Sequence, residues 1–418
     1  MTTAPWVEHA IWWHVYPLGF VGAPIREPDV APPGTARLDR LVPWLDHAVA
    51  LGVNGLLLGP VFASTAHGYD TTDHFRIDPR LGGDDAFDRL LAACRERGLR
   101  MVLDGVFNHV GAAHPLARRA LAEGPDGPYA RWFRIDWDAP GGPAAVGWEG
   151  HATLPELAHD EPAVAGFVTD VMTHWLARGI DGWRLDVAHE VPVEFWASVL
   201  PAVRRAHPDA WVFGEVMHGD YAGFVRSSGV DSVTQYELWK AIWSSLKDRN
   251  FYELDHALGR HATLLEEFWP QTFVGNHDVT RVASQVGADG AVLAAAVLLT
   301  VGGVPSIYYG DEWGFEGVKE ERPGGDDVLR PAFPASPAEL DPAGQGVFRA
   351  HQELVGLRRR HPWLVSARTT AVSLANTRYV YEARDPAGSS ALTVELDVTD
   401  APRVRVLGAG GEVLFARG

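Results

Sequence analysis

"GWRLDVAHEV", residues 182–191, sets an arginine, an aspartate, a histidine and a glutamate within ten positions, directly after an apolar, helix-like segment. Residues two apart in a strand point to the same side, so Arg184 and Asp186 share one face while Leu185 and Val187 turn to the other. An isolated R-x-D pair is more often a structural ion pair than a functional one. The ends of the other strands decide between these two readings. Working outward, the short apolar runs are "AIWWHVYPLGF", "NGLLLGP", "LRMVLDGVF", "DGWRLDV", "AWVFGEV", "GVDSVTQY", "QTFVGN" and "PSIYYG", eight candidate strands. Helical patterns with apolar residues three and four apart lie between them, over 38–51, 84–97, 162–178 and 192–206. Continuous apolar strands alternating with helices predict a parallel sheet buried on both faces, an α/β fold. A (β/α)8 TIM barrel is expected, with a doubly wound open sheet as its structural rival.

The barrel is assigned to residues 1–360, with a long loop after strand 3 over 111–160 that carries Trp132, Phe133, Trp137 and Trp148. Loops of that length are often functional. After the helix-like "GQGVFRAHQELVGLRRRH" the pattern changes to period two with Gly, Asn and Asp turns, so 361–418 reads as a small C-terminal antiparallel β domain with strands from 365 onward. "APPGTARLDR" and "ERPGGDDVLRPAFP" are connections inside the barrel, and no internal repeat stands out.

The 418 residues, 46% of them hydrophobic, suffice for a sizeable core. The longest apolar run, 291–301, is too short to cross a bilayer, and "MTTAPWVEHA" lacks the pattern of an export signal, so a cytoplasmic protein without a membrane partner is expected. Cys94 is the only cysteine, in keeping with a reducing compartment. Asp and Glu outnumber Lys and Arg by 54 to 36, a balance of −18 that repels nucleic acid and anionic lipid, and a neutral partner is expected.

Barrel enzymes build their sites at the C-terminal ends of the strands. Strand 2 is followed by Tyr69 and Asp70; strand 3 ends in Asp104, Asn108 and His109; strand 4 in Arg184, Asp186, His189 and Glu190; strand 5 in Glu215; strand 7 in Asn276, His277 and Asp278. Each has a bland explanation: His109 a core histidine, Asp278 a helix cap, Tyr69 packing, Asp104 structural. Gathering three carboxylates, two histidines and an arginine at one rim for stability alone would be costly. A metal-dependent hydrolase would want a His-x-His on the first strand and a lysine near the fourth, and neither is present. Glycoside hydrolysis needs one protonated and one ionised carboxyl. Arg184 biases Asp186 towards the ionised form, and Glu215, between Phe213, Gly214 and Val216, is the better candidate acid.

"LDGVFNHV", "GWRLDVAHE", "FGEV" and "FVGNHD" resemble the four signature regions of the α-amylase family of retaining glycoside hydrolases, in the family's order. The resemblance extends over residues 6 to about 360, through "GYDTTDHFRIDPRLGG" and "PSIYYGDEWG". "GWRLDVAHEVPVEFW", "YARWFRIDW" and "LPEL" are most similar to the cyclomaltodextrinase, neopullulanase and maltogenic amylase group. The resemblance implies Asp186 as nucleophile, Glu215 as general acid then base, and Asp278 as the third carboxylate, gripping sugar hydroxyls. It also implies substrate binding by Tyr69 stacked on the sugar ring, by Asp70, by the hydroxyl-binding His109 and His277, by His189 and by Arg330, with Arg184 holding Asp186. Asn108 matches a calcium-ligand position in many α-amylases; no cofactor is required, and calcium is carried as the candidate ion. Three features depart from the group: the extra β domain ahead of the barrel is not expected, His189 replaces the usual asparagine, and the C-terminal domain is short. Val187 occurs after the nucleophile in relatives that accept α-1,6 bonds.

The expected activity is retaining hydrolysis of α-1,4 bonds, with α-1,6 bonds open, in short maltooligosaccharides, with transglycosylation as an accompaniment. A glucosyltransferase or disaccharide isomerase, trehalose synthase-like or sucrose-acting, is the alternative, because water and a sugar compete for the same intermediate. A non-catalytic carbohydrate-binding protein is a third reading, opposed by the presence of all three carboxylates.

Overall fold

The computed structural model describes residues 4–26, 32 and 34–418. Residues 31 and 33 of the "APPGTARLDR" connection and the first three residues of the chain lie outside the described residues.

Eight short parallel strands form one sheet: β1 (Trp12–Val15), β2 (Gly55–Leu58), β3 (Arg100–Gly105), β4 (Gly182–Leu185), β5 (Trp211–Gly214), β6 (Ser232–Val233), β7 (Gln271–Phe273) and β8 (Val304–Tyr308). Each of the eight apolar runs supplies one strand. Neighbours follow chain order from β1 to β6 and β8 pairs with both β1 and β7, while a single bridge from Thr234 to Gln271 joins β6 to β7 and closes the barrel. The open sheet is thereby set aside.

Period two inside the barrel explains where the chemistry sits. Trp12, Leu57, Val102, Trp211, Phe213 and Val304 pack together in its interior, and the rings of Trp12 and Trp211 stack 5.7 Å apart. Their neighbours Trp13, Leu56, Leu103 and Val212 point outward into the larger core beneath the helices. Two positions further along the inward rows come His14 after Trp12, Asp104 after Val102 and Glu215 after Phe213. The apolar floor therefore gives way to a polar layer at the C-terminal ends of the strands.

The helix before β4 shows how local sequence sets this register. Pro162 occupies the first turn, where a missing N–H costs nothing; the Glu161 side chain accepts from the Ala163 N–H; and Gly179, at φ 112°, ends Pro162–Arg178 in the left-handed region. The 111–160 loop contains the helix Pro115–Glu123 and a two-residue strand pair, Ile135–Asp136 with Ala144–Ala145.

The apolar run 291–301 belongs to a longer helix, Val282–Thr300, which by length and composition is long enough to cross a membrane. This corrects the expectation drawn from the run alone, because "VASQVGADG" extends the helix N-terminally through a break at Gly287. Of its most apolar 18-residue stretch, 67% is buried inside the protein.

The chain ends in a five-stranded antiparallel meander, β9 (Arg368–Leu374), β10 (Arg378–Arg384), β11 (Ala391–Asp397), β12 (Arg403–Gly408) and β13 (Val413–Arg417). One face, with Tyr379, Tyr381, Leu392, Val394 and Val406, is buried. The Tyr381 hydroxyl meets Thr300 Oγ1 at 2.7 Å, tying the sheet to the end of the Val282–Thr300 helix.

Candidate active site

A cavity of about 390 Å³ opens at the C-terminal ends of the barrel strands. Asp186, Glu215 and Asp278 line it, with Tyr69, His109, Trp148, His189, Tyr236 and Arg330. Arg184 and His277 lie beneath this lining and hold it from below.

Arg184 is the centre of the site. Its Nη1 donates to Asp104 Oδ2 at 2.6 Å and to Asp186 Oδ1 at 3.1 Å, and its Nη2 pairs with Glu215 Oε1 at 2.7 Å. Asp104 and Arg184 are direct cross-strand partners in the β3–β4 register, which is why they meet. Glu215 has further donors: the Tyr236 hydroxyl at 2.9 Å on Oε1 and the Val187 N–H at 3.1 Å on Oε2. On the opposite side Asp278 pairs with His277 Nε2 at 2.9 Å and with Arg330 Nη2 at 2.7 Å, while Arg330 Nε donates to the His277 carbonyl at 3.0 Å. The Tyr69 hydroxyl donates to Asp104 at 3.2 Å and is in close contact with His277 Nε2, and its ring stacks on the His277 ring.

One guanidinium cannot neutralise three buried carboxyls, so protons are shared unequally among them. Burial, reinforced by the negative charges of Glu215, Asp104 and Asp278, pushes Asp186 well above the ordinary carboxyl range despite Arg184. Asp104 is raised by burial too, against the pull of Arg184. Burial also opposes the charge on Glu215, but Arg184 and the Val187 N–H outweigh it and hold its carboxyl below the ordinary value. In the free site the proton therefore rests nearer Asp186 than the Arg184–Asp186 pairing in the sequence suggests. Among the described residues Asp186 makes one charged contact, whereas Glu215 collects three donors. Asp278 stays ionised: its setting in the cavity works against the charge, but His277 and Arg330 hold it well below the usual range. Burial keeps His109 neutral, at about 4; it donates to the Tyr69 carbonyl at 3.1 Å and stacks on Trp148 with ring centres 4.9 Å apart.

Two expected orientations are corrected. Asp70 does not line the cavity: Tyr69 takes the inward place, and the Asp70 carboxyl is buried behind the loop, 3.9 Å from His67 Nδ1. Val187 does line it, because the chain leaves β4 through a left-handed residue at φ 46° instead of continuing the strand. His189 reaches the cavity with Nδ1 3.2 Å from the Glu215 carbonyl.

Of the long-loop tryptophans, which the sequence offers as sugar platforms or as the loop's own core, Trp148 lines the cavity; Tyr236 is not marked as a site residue by the sequence, and Asp104 reads there as structural. The end of strand 6, "VTQY", was the one signal for Tyr236; Asp104 could be found from its inward phase with Val102. Trp132 instead packs on Tyr129 and Phe167 in the loop's own core.

Around Asn108, the candidate calcium position, neighbouring polar groups are paired with one another. Its side-chain amide nitrogen faces His109 Nδ1 at 3.3 Å, and its backbone carbonyl accepts from the Leu157 N–H. His159 uses Nε2 to donate to the Phe107 carbonyl, and Asp160, 82% exposed, leans towards Arg134. Among the described residues no group of three His, Cys, Asp or Glu side chains is arranged to hold a metal ion.

Comparison with known proteins adds an independent line. The family model for the α-amylase catalytic domain matches residues 34–379. Neopullulanase 2 of Thermoactinomyces vulgaris is 32% identical over 391 residues, 86% of this chain and 64% of that protein. The intracellular maltogenic amylase of Bacillus subtilis strain 168 is 29% identical over 75% of this chain and 56% of its own length. The chain thus spans less than two thirds of either of these curated relatives. Among solved structures, the cyclic α-maltosyl-(1→6)-maltose hydrolase of Arthrobacter globiformis, in complex with that sugar, is 27% identical with a TM-score of 0.83, covering 100% of both chains.

Proposed function

The chain belongs to the α-amylase family, and on that premise we propose that it is a retaining glycoside hydrolase that cleaves α-1,4 bonds, and accepts α-1,6 bonds, in short linear or cyclic maltooligosaccharides. The observation that carries the proposal is Arg184 gripping Asp186 and Glu215 with its two terminal nitrogens, at 3.1 and 2.7 Å. A single guanidinium spanning both carboxyls supports the short separation of retaining enzymes, about 5–5.5 Å, over the gap of about 6.5–9.5 Å that inverting enzymes leave for water.

Asp186 attacks the anomeric carbon while Glu215 gives its proton to the departing glycosidic oxygen. Water then gives its proton to Glu215 and its oxygen to the same carbon, releasing Asp186. Asp186 and Glu215 titrate as a pair because they share Arg184. A bound sugar whose anomeric carbon gains positive charge favours ionised Asp186 and leaves the shared proton for Glu215. Asp278, fixed by His277 and Arg330, holds sugar hydroxyls as the ring flattens, with His109 and Tyr69 beside it. When a second sugar replaces water the same intermediate gives transglycosylation. We further assign the catalytic unit to 1–360 and a small β domain to 361–418. We place the protein in the cytoplasm, supported by its single, buried cysteine and by the intracellular relative.

Proton NMR of maltotriose during turnover tests the proposal, with Glu215→Gln as control. The α-anomer should form first, and the variant should lose about 10²–10⁴-fold of the rate. A first-formed β-anomer, or a variant as active as the parent, would refute it.

A further inference from the structure

Tyr236 stands three residues past β6 and is 6% exposed. Its hydroxyl is 2.9 Å from Glu215 Oε1 and 3.0 Å from Asn276 Nδ2. The Asp278 N–H donates to Asn276 Oδ1 at 2.8 Å, which fixes the amide so that its NH2 faces the tyrosine. An NH2 group can only donate, so the Tyr236 oxygen accepts from Asn276 and its own hydrogen is committed to Glu215. The ring is clamped edge-on by Phe273 and Trp239, with centres 4.9 and 5.8 Å away, so the hydroxyl cannot swing aside.

The other Glu215 oxygen is fixed by a different device. Val187 is a β-branched residue in the left-handed region, a conformation that persists only where the surroundings impose it. That turn aims the Val187 N–H at Oε2, 3.1 Å away.

We infer that Tyr236, aimed by Asn276, is the positioning residue of Glu215, and that it leaves Oε2 as the oxygen that carries the transferable proton. Oε1 already accepts from both Arg184 and Tyr236, so the neutral acid bears its hydrogen on Oε2. In the first step the Oε2–H bond breaks as the leaving oxygen takes the proton. In the second, Oε2 takes the proton back from water. The inference rests on the activity proposed above.

The charged and titratable groups facing Glu215 are Arg184 from β4, Asp186, His189 and Glu190 from the turn after it, Asp104 from β3, and His277 and Asp278 from the loop after β7. Among the described residues only Arg184, Tyr236 and the Val187 N–H donate to its carboxyl. Tyr236 itself stays protonated, its hydroxyl pushed up by burial and then by Glu215. Because its donation favours the ionised form, Tyr236→Phe should raise the Glu215 titration by about one pH unit.

The alkaline limb of kcat/KM on maltotriose, which belongs to the Asp186–Glu215 pair, should therefore move up in Tyr236→Phe by at most about one unit, and in the same direction by less in Asn276→Ala. α-Glucosyl fluoride, whose leaving group needs little protonation, should lose at least about tenfold less activity than maltotriose. An unmoved limb with equal losses on both substrates overturns the inference, reducing Tyr236 to packing or sugar contact. If Tyr236→Phe fails to fold, Asn276→Ala decides alone. A parent inactive on every α-glucoside would defeat the proposed activity but not the relay. The relay is then read from the pH titration of the 13C-labelled Glu215 carboxyl in the unliganded protein, assigned against Glu215→Gln. Coincident titrations in parent and Tyr236→Phe would overturn it there too.

Discussion

Arg184→Met removes the cation shared by three buried carboxyls while keeping an unbranched chain of similar reach. The three contacts, at 2.6, 3.1 and 2.7 Å, are lost together, and Asp104, Asp186 and Glu215 are left crowded at one rim. Removing one partner from a buried ion pair typically costs about 3–5 kcal/mol, a large part of the roughly 5–15 kcal/mol that holds a folded domain. The upper part of that range is expected near neutral pH, since three buried carboxyls lose their shared counter-charge. The cost must depend on pH. In the parent, Glu215 titrates below its ordinary value, so it contributes stability above that value and loses it as pH falls through the depressed one. In the variant all three carboxyls titrate high; they detract from stability when ionised and are relieved as they take up protons. The gap between parent and variant should therefore shrink by more than half from about pH 7.5 to about pH 5. Denaturant unfolding at the two pH values, with the slope checked for constancy, measures it. A gap below about 1 kcal/mol, or one equal at both pH values, would refute the assignment of Arg184 as the common counter-charge.

Trp148→Ala should raise KM for maltotriose about three- to tenfold with kcat nearly unchanged, because the tryptophan stacks on His109 and lines the cavity without touching the carboxyls; steady-state kinetics on parent and variant decide this. Burial holds His74, His109 and His261 at about 4 and His114 at about 3, so they stay neutral when folded and take up protons first when unfolded. Stability should then be lost as pH falls below about 6.5 and level off near 4. Melting temperature followed from pH 7 to 4 tests this, and His261→Gln, far from the carboxyls, should make the slope shallower; an unchanged slope would exclude His261 as a contributor.

Much of the fold was legible because period two and period 3.6 are local properties. Eight apolar runs became eight barrel strands, and the motif residues Asp186, Glu215 and Asp278 came to line one cavity because strand ends in a parallel barrel all face the same way. The helix Val282–Thr300 was underestimated because its first turns are too polar to count in an apolar run. Asp70 was placed in the site on adjacency to Tyr69, which says nothing about the direction of a side chain in a bend.

The sequence by itself determined which carboxyls and which guanidinium gather at the strand ends, and their order around the barrel, since these follow from strand spacing and inward phase. Only the tertiary structure decided how charge is divided among them. That division depends on which donors converge on each carboxyl: Arg184 from β4, Tyr236 from the end of β6, and the Val187 N–H from a turn that departs from strand geometry. These donors lie 21 to 31 positions from Glu215 along the chain. Coulomb and hydrogen-bond energies fall off over a few ångströms of space, so separation along the chain carries no record of them.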